Sequence, residues 1–234
     1  MQETIMKPSD DFISFFDEST LEHRIPECLL KRVKEHKVSI KYNKGEHLFD
    51  EKESPEAVYI IKSGTAKLSK VGAYKKEQIL KFITEGDLIG YRSLLCGESF
   101  RAKAEALTEV EALKIPSDLF VELLQEDKSL AFEMLKKIAY ELGESCDTIT
   151  FLAQKTVRER LAEMLLTLEQ KLGTDPEGFI KITLTREEIA NLIGTATESA
   201  IRLISEFKSD KIIETEGRNI KIIDREKLMK LGHV

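Results

Sequence analysis

The chain reads as an α+β protein in three parts: an antiparallel β-barrel with flanking short helices over residues 1–126, a dimerisation helix over 127–155, and a winged helix-turn-helix over 156–234. Three observations predict this. Between Val38 and about Ile115, short β-prone runs are punctuated by glycine every 8–15 residues, the texture of a barrel or sandwich. Apolar residues then recur at alternating steps of three and four, from Leu135 to Leu152. Finally, two Thr-x-x-Glu helix starts flank Gly194 in the last third of the chain.

Residues 8–36 predict short helices, with one apolar cluster at Phe12, Ile13, Phe15 and Phe16 and another at Cys28, Leu29, Leu30 and Val33. The strand-like runs that follow are VSIKY, AVYIIKSG ending at Gly64, TAKLSKV before Gly72, QILKFITEG ending at Gly86, and Asp87-Leu-Ile-Gly90. Helical periodicity resumes near Pro116 and continues to about Leu172. Within it, Leu135, Ile138, Leu142, Ser145, Ile149 and Leu152 form an a/d seam of nearly three heptads. Such a seam fits either a helix lying on its own barrel or a two-stranded coiled coil joining two subunits. Ser145 is a polar break in it.

Thr185 and Glu188 predict a capping box, with Leu184 and Ile189 as its hydrophobic staple. Gly194 supplies the positive φ of a sharp inter-helix turn. Thr195 and Glu198 predict a second capping box, opening a helix whose inward face is Ala200, Leu203, Ile204 and Phe207. Two capped helices joined in this way read as a helix-turn-helix, whose second helix enters the major groove of DNA. Two β-branched runs follow, Lys211–Thr215 and Ile220–Ile223, separated by Glu216-Gly217-Arg218-Asn219. They predict a hairpin, the wing, bringing Lys211, Arg218 and Lys221 toward phosphates.

Charge tempers this reading. The chain carries a net −6. Residues 156–234 hold −1 of it and residues 1–155 hold −5. A reading domain that is not basic gains little from phosphate neutralisation, so specific binding must rest on a few contacts and on dimerisation. Hydrophobic residues at 41% and charged residues at 33% predict an ordered soluble protein. The sequence shows no membrane-length apolar stretch and no secretory leader, which predicts a cytoplasmic protein. Cys28, Cys96 and Cys146 are odd in number and far apart, as expected of reduced thiols. The expected role of Cys146 is that of a small packed residue, with a redox switch as the alternative.

Taken together, GDLIGYRSLLCGESFRAKAEA (Gly86–Ala106) and ITLTREEIANLIGTATESAIRLISEF (Ile182–Phe207) resemble the Crp/Fnr family of bacterial transcription regulators, across nearly the whole chain. The resemblance implies a cyclic-nucleotide-binding-like barrel of double-stranded β-helix (jelly-roll) type, a dimer helix seamed by Leu135, Ile138, Leu142, Ile149 and Leu152, and a DNA reader contacting RNA polymerase. On the reading helix, Glu198 and Arg202 fall where the family reads a TGA-like half-site core. The chemistry agrees: glutamate accepts from cytosine N4, and arginine grips guanine O6 and N7. Their four-residue spacing also permits a mutual ion pair. Thr197 stands where the cyclic-AMP branch has another guanine-reading arginine, and Ile201 is placed to meet a thymine methyl. Expected phosphate contacts are Thr185, Arg186, Thr195, Ser199, Lys211 and Arg218.

The corresponding effector pocket comprises Gly90, Tyr91, Arg92, Ser93, Arg101, Ala102, Ser145 and Cys146. Its chemistry departs from that of cyclic-AMP-binding members. Tyr91 replaces the glutamate that holds the ribose, and Arg101-Ala102 replaces the phosphate-gripping arginine-serine pair. Ser145-Cys146 takes the place of the hydroxyl pair that meets the purine. Retained shape with altered chemistry predicts an effector other than cyclic AMP. Three cysteines cannot supply the four thiolates of an iron–sulfur cluster, and His23, His36 and His47 show no metal-site spacing, so no resident cofactor is expected. The sequence carries no P-loop, dinucleotide fingerprint, Gly-x-Ser-x-Gly or His-Glu-x-x-His, so it predicts no enzyme. The remaining alternative is an effector-binding dimer whose winged helix contacts protein. Outward-facing Glu198 and Arg202, with Ala200 and Leu203 buried, discriminate in favour of DNA.

Overall fold

In the computed structural model of the chain, residues 12–72 and 75–233 are described. The first eleven residues, part of the stretch read as lacking a leader, lie outside them. The chain divides into two compact units, residues 1–72 with 79–144, and residues 73–78 with 145–234.

The first unit opens with a 3₁₀ turn at Ser14–Phe16, helix α1 at Glu18–Leu21 and helix α2 at Glu27–His36. The strands are β1 (Val38–Tyr42), β2 (His47–Phe49), β3 (Ala57–Ser63), β4 (Ala66–Val71), β5 (Glu77–Ile83), β6 (Leu88–Ile89), β7 (Lys103–Ala106) and β8 (Val110–Pro116). Helix α3 (Tyr91–Cys96) lies between β6 and β7, and α4 (Ser117–Glu126) follows β8. Two four-stranded sheets result, ordered β1-β8-β3-β6 and β2-β7-β4-β5.

Strand β3 shows why its sequence is almost continuously apolar. Tyr59 and Ile61 pack among the barrel's interior residues, beside Phe49, Phe100, Ala104 and Val110. Val58 and Ile60 face the helical layer formed by Phe12, Phe16, Leu29, Val33, Phe120 and Leu123. A strand buried on both faces loses the polar alternation of a half-exposed one. At the interior, the rings of Phe49 and Phe100 stack with centroids 4.0 Å apart.

The turn from β3 to β4 admits only glycine at Gly64, where φ is 88°. A Cβ there would sit 2.1 Å from the backbone oxygen of Glu109. Gly64→Ala is therefore expected to cost about 3 kcal/mol, combining strain at a positive φ with overpacking against an immovable carbonyl. Urea denaturation measures it, and a loss below about 1 kcal/mol would show that the turn has slack.

Helix α5 runs unbroken from Lys128 to Gln154, about 40 Å at 1.5 Å per residue. Asp127 starts it: the buried carboxylate accepts from the N–H groups of Ser129 and Leu130, at 3.0 and 3.1 Å. The Nε of Arg24 lies 3.3 Å from that carboxylate and compensates its charge. Leu130, Met134 and Lys137 form the buried side of α5.

The second unit holds α6 (Val157–Leu172), α7 (Arg186–Ile193), α8 (Thr197–Ser209), β9 (Ile213–Glu216), β10 (Asn219–Ile222) and α9 (Arg225–Gly232). The continuous helical texture up to Leu172 is broken after Gln154 by a reciprocal capping box of Thr156 and Glu159. Both capping groups of α6 thus come from residues that fit the helical periodicity, which hides the break from a pattern reading. Leu161, Leu165, Ile189, Ile193, Ile204, Phe207, Ile213 and Leu228 form this unit's core.

Candidate nucleic-acid interface and effector cassette

Helix α7 begins as its sequence predicts. The Thr185 hydroxyl accepts from Glu188 N–H at 3.1 Å, and the Glu188 carboxylate accepts from Thr185 N–H at 2.8 Å. Leu184 and Ile189, the staple pair, are both buried. Gly194 closes the helix in the left-handed region at φ 65°. A Cβ at this position would approach Leu152 Cδ2 to 3.1 Å.

The second capping box does not form. Helix α8 starts at Thr197 with Ala196 as its N-cap, and no side chain caps it. The physical reason lies one residue upstream. Thr195 N–H donates to Ala190 O at 2.9 Å, so Thr195 still belongs to the end of α7 rather than the beginning of α8. The start is shifted by one residue, and Thr197 and Glu198 lie in the first turn of the helix, with Ser199 behind them.

On α8, Ala200, Leu203, Ile204 and Phe207 are buried while Glu198, Ile201 and Arg202 are exposed. Thr197 and Ser199 are half-buried. Among the described residues, neither Glu198 nor Arg202 takes a side-chain partner, so the mutual ion pair allowed by their spacing is not made. An unpaired carboxylate and guanidinium one turn apart give a helix surface with an acceptor and a planar bidentate donor.

The expected phosphate contacts occupy varied surroundings. Arg218 is exposed on the two-residue turn Gly217-Arg218 between β9 and β10, and Glu216 pairs with Asn219. The loop is thus two residues shorter than the sequence predicts. Lys211 lies not in the first strand but in a left-handed position (φ 56°) after α8. Its N–H donates to Lys208 O, and Ile212 N–H to Phe207 O; this reversal uses up the residues read as the start of the strand. Arg186, half-buried, donates to Gly217 O at 3.2 Å and so ties the start of α7 to the wing turn. Its Nη1 is buried with no partner among the described residues, and burial depresses the guanidinium pKa from its ordinary value. Lys221 donates to Glu177 O at 2.7 Å.

In the first unit, Gly90 precedes α3 at φ 88°, and the cassette residues follow. Ser93 is buried and Ala102 half-buried. Arg92 and Arg101 are exposed and share Glu98, at 3.4 and 2.8 Å. Tyr91 is buried, and its hydroxyl donates to Glu141 Oε2 at 2.5 Å. Lys81 Nζ reaches Glu141 Oε1 at 2.7 Å, and Lys137 Nζ reaches the same oxygen at 3.2 Å. Burial, reinforced by the Glu141 charge, pushes the Tyr91 phenol far above its ordinary pKa. Burial alone would raise Glu141; the positive charges of Lys81 and Lys137 outweigh it and hold the carboxyl below the usual range.

Glu141, Lys81 and Lys137 escaped the motif reading because no local pattern unites β5 with α5. One signal existed. Leu130, Met134, Lys137 and Glu141 continue a single helical face, and an inward stripe ending in a lysine and a glutamate implies polar partners below it.

Along α5, Leu135, Leu142 and Ile149 are 61%, 67% and 66% exposed on the single chain, and Ile138 is also exposed. Leu152 is half-buried, and Ser145 and Cys146 are exposed. The packed role expected for Cys146 is therefore not met within the chain: Cys28, Cys96 and Cys146 are all exposed free thiols. Cys146 lies beyond Leu130, Met134 and Lys137, the buried residues of α5. None of the described helices is long and apolar enough to cross a membrane.

Comparison with known proteins gives this geometry its context. Residues 39–127 match the cyclic nucleotide-binding domain, and residues 159–231 match the Crp-like helix-turn-helix domain. The chain is 31% identical over 196 residues to the fumarate and nitrate reduction regulatory protein of Salmonella typhi, covering 81% of this chain and 77% of the relative. It is 28% identical over 193 residues to the CRP-like cAMP-activated global transcriptional regulator of Mycobacterium tuberculosis, covering 82% and 86%. The structure of FixK2 from Bradyrhizobium japonicum superposes with a TM-score of 0.73 at 26% identity, covering 83% and 96%. With its barrel, its long helix and an outward-facing acid–guanidinium pair on the second helix of a helix-turn-helix, the chain belongs to the Crp/Fnr family of DNA-binding transcription regulators.

Proposed function

We propose that this regulator acts as a homodimer on a pseudo-palindromic site with a TGA-like half-site core. Glu198 and Arg202 read base edges, Thr197 and Ile201 flank them, and Thr185, Arg186, Thr195, Ser199, Lys211 and Arg218 approach phosphates. The observation that carries this reading is the division of α8. Ala200, Leu203, Ile204 and Phe207 are buried, whereas Glu198 and Arg202 stand exposed and unpartnered beside the exposed Ile201. A protein-contact role would favour an apolar outward face, but this one offers charged groups suited to cytosine and guanine.

The exposed stripe of Leu135, Ile138, Leu142 and Ile149 supports the dimer, because a row of large apolar residues standing in water gains by pairing with its copy. A parallel pair of such helices holds two reading heads for half-sites about one helical turn apart. In this reading the protein works in the cytoplasm with RNA polymerase as a partner, has no catalytic activity, and takes Gly90, Tyr91, Arg92, Ser93, Arg101 and Ala102 as its effector cassette.

Selection of bound sequences from random DNA tests the proposal. The expected product is an inverted repeat sharing one half-site core. Recovery of no enriched sequence by the folded dimer would refute base reading. Cyclic AMP is expected to change neither operator affinity nor melting temperature. Tyr91 and the Glu98-bound arginines present no free ribose acceptor and no uncommitted phosphate clamp. A saturable rise in melting temperature on titration would overturn that expectation.

A further inference from the structure

The face of α5 turned toward the barrel changes character along its length. Leu130 and Met134 are buried apolar residues, and Lys137 is buried but charged. Lys137 Nζ lies 5.4 Å above the Phe12 ring and 3.9 Å from Asp87 Oδ1. One turn later, Glu141 receives Lys81 from β5, Lys137 from its own helix and the Tyr91 hydroxyl from α3. Two ammonium groups and a phenol therefore converge on one carboxylate. With Asp87 included, the charges of the described groups in this cluster balance. Each hydrogen bond is charge-assisted, and Tyr91 and Lys137 make theirs from buried positions.

We infer that the cassette takes the chain's own Glu141 carboxylate as its ligand, an internal latch that fastens α5 to α3 and β5 without any small molecule. Helix packing through Leu130 and Met134 is non-directional and persists if the helix slides or rolls slightly. The Glu141 cluster is different: donors from two other elements, Lys81 of β5 and Tyr91 of α3, fix both the rotation and the height of α5 at residues 137–141. Breaking one contact weakens the others, because the donors share one carboxylate and polarise one another through it. The latch is thus an all-or-none device placed just before Leu142, inside the apolar stripe.

Amide hydrogen exchange on the intact protein, with no ligand added, tests the latch. Tyr91→Phe keeps the ring and removes only the hydroxyl; Glu141→Gln removes the charge. Each is expected to lower protection of amides 137–144 about tenfold while β3 and β8 keep theirs. The double variant is expected to match either single one, since the two residues act as one unit. Unchanged protection of 137–144 in both single variants would overturn the inference, and so would purely additive effects in the double variant. If Tyr91→Phe also loosens β3 and β8, Lys81→Met decides alone. Lys81 is partly exposed at the strand surface, and its loss is expected to release 137–144 selectively. Unaltered exchange there would refute the latch.

Discussion

Leu142→Glu is expected to turn the protein into a monomer. Leu142 is 67% exposed and lies between Ile138 and Ile149 on α5. In a two-stranded coiled coil the substitution sets two carboxylates against each other at a desolvated seam. A cost of about 3–5 kcal/mol for uncompensated buried charge corresponds to a loss of dimer affinity of more than about hundredfold. Operator affinity is expected to fall at least as far. A single head forfeits the effective concentration gained when the first half-site is engaged. Folding should be untouched, because the residue contributes nothing to the core of its own chain. Sedimentation across a concentration series, with circular dichroism as the folding control, reads the outcome. A dimer as tight as the parent would show that this stripe is not the interface.

The second large effect is expected from Arg202→Ala. The loss of a bidentate arginine–guanine pair costs about 1–3 kcal/mol, roughly 5- to 150-fold in specific affinity. It is confined to one base-pair position in each half-site. Affinity for random DNA should barely change, since one exposed charge in a domain of net −1 adds little to phosphate attraction. Binding to operators substituted at every position separates the two contributions. Equal losses on specific and random DNA would reduce Arg202 to a phosphate contact. Glu198→Ala is a useful companion: it removes the acceptor for cytosine and should relax a neighbouring position while leaving the Arg202 preference in place.

Much of this was legible in the chain itself because the determinants are local. The Thr185–Glu188 capping box, Gly194 in the left-handed region and the inward set Ala200, Leu203, Ile204 and Phe207 each depend on residues within two helical turns. Strands β1, β3, β4, β5 and β6 were equally readable from glycine positions and apolar runs, whereas β2, β7 and β8 matched none of those runs: β2 and β7 are short, and β7 and β8 are interrupted by charged residues. Local patterns misled where two local options competed. Thr195 had the right spacing to cap α8, yet its N–H was already committed to Ala190. Lys211 continued a β-prone run, yet the end of α8 required a left-handed residue at that point.

By itself, then, the sequence determined the two domain types, the helix-turn-helix and the acid–guanidinium pair offered by its second helix, because periodicity and capping are properties of neighbours along the chain. Only the tertiary structure decided that Glu198 and Arg202 remain unpaired, that Arg186 is committed to the wing turn, and that Glu141, Lys81 and Tyr91 meet. These residues are separated by up to 60 positions and carry no shared periodicity. The Glu141 contacts arise because α3 and β5 are brought beside α5, and burial then obliges Lys137 and the Tyr91 hydroxyl to find a partner.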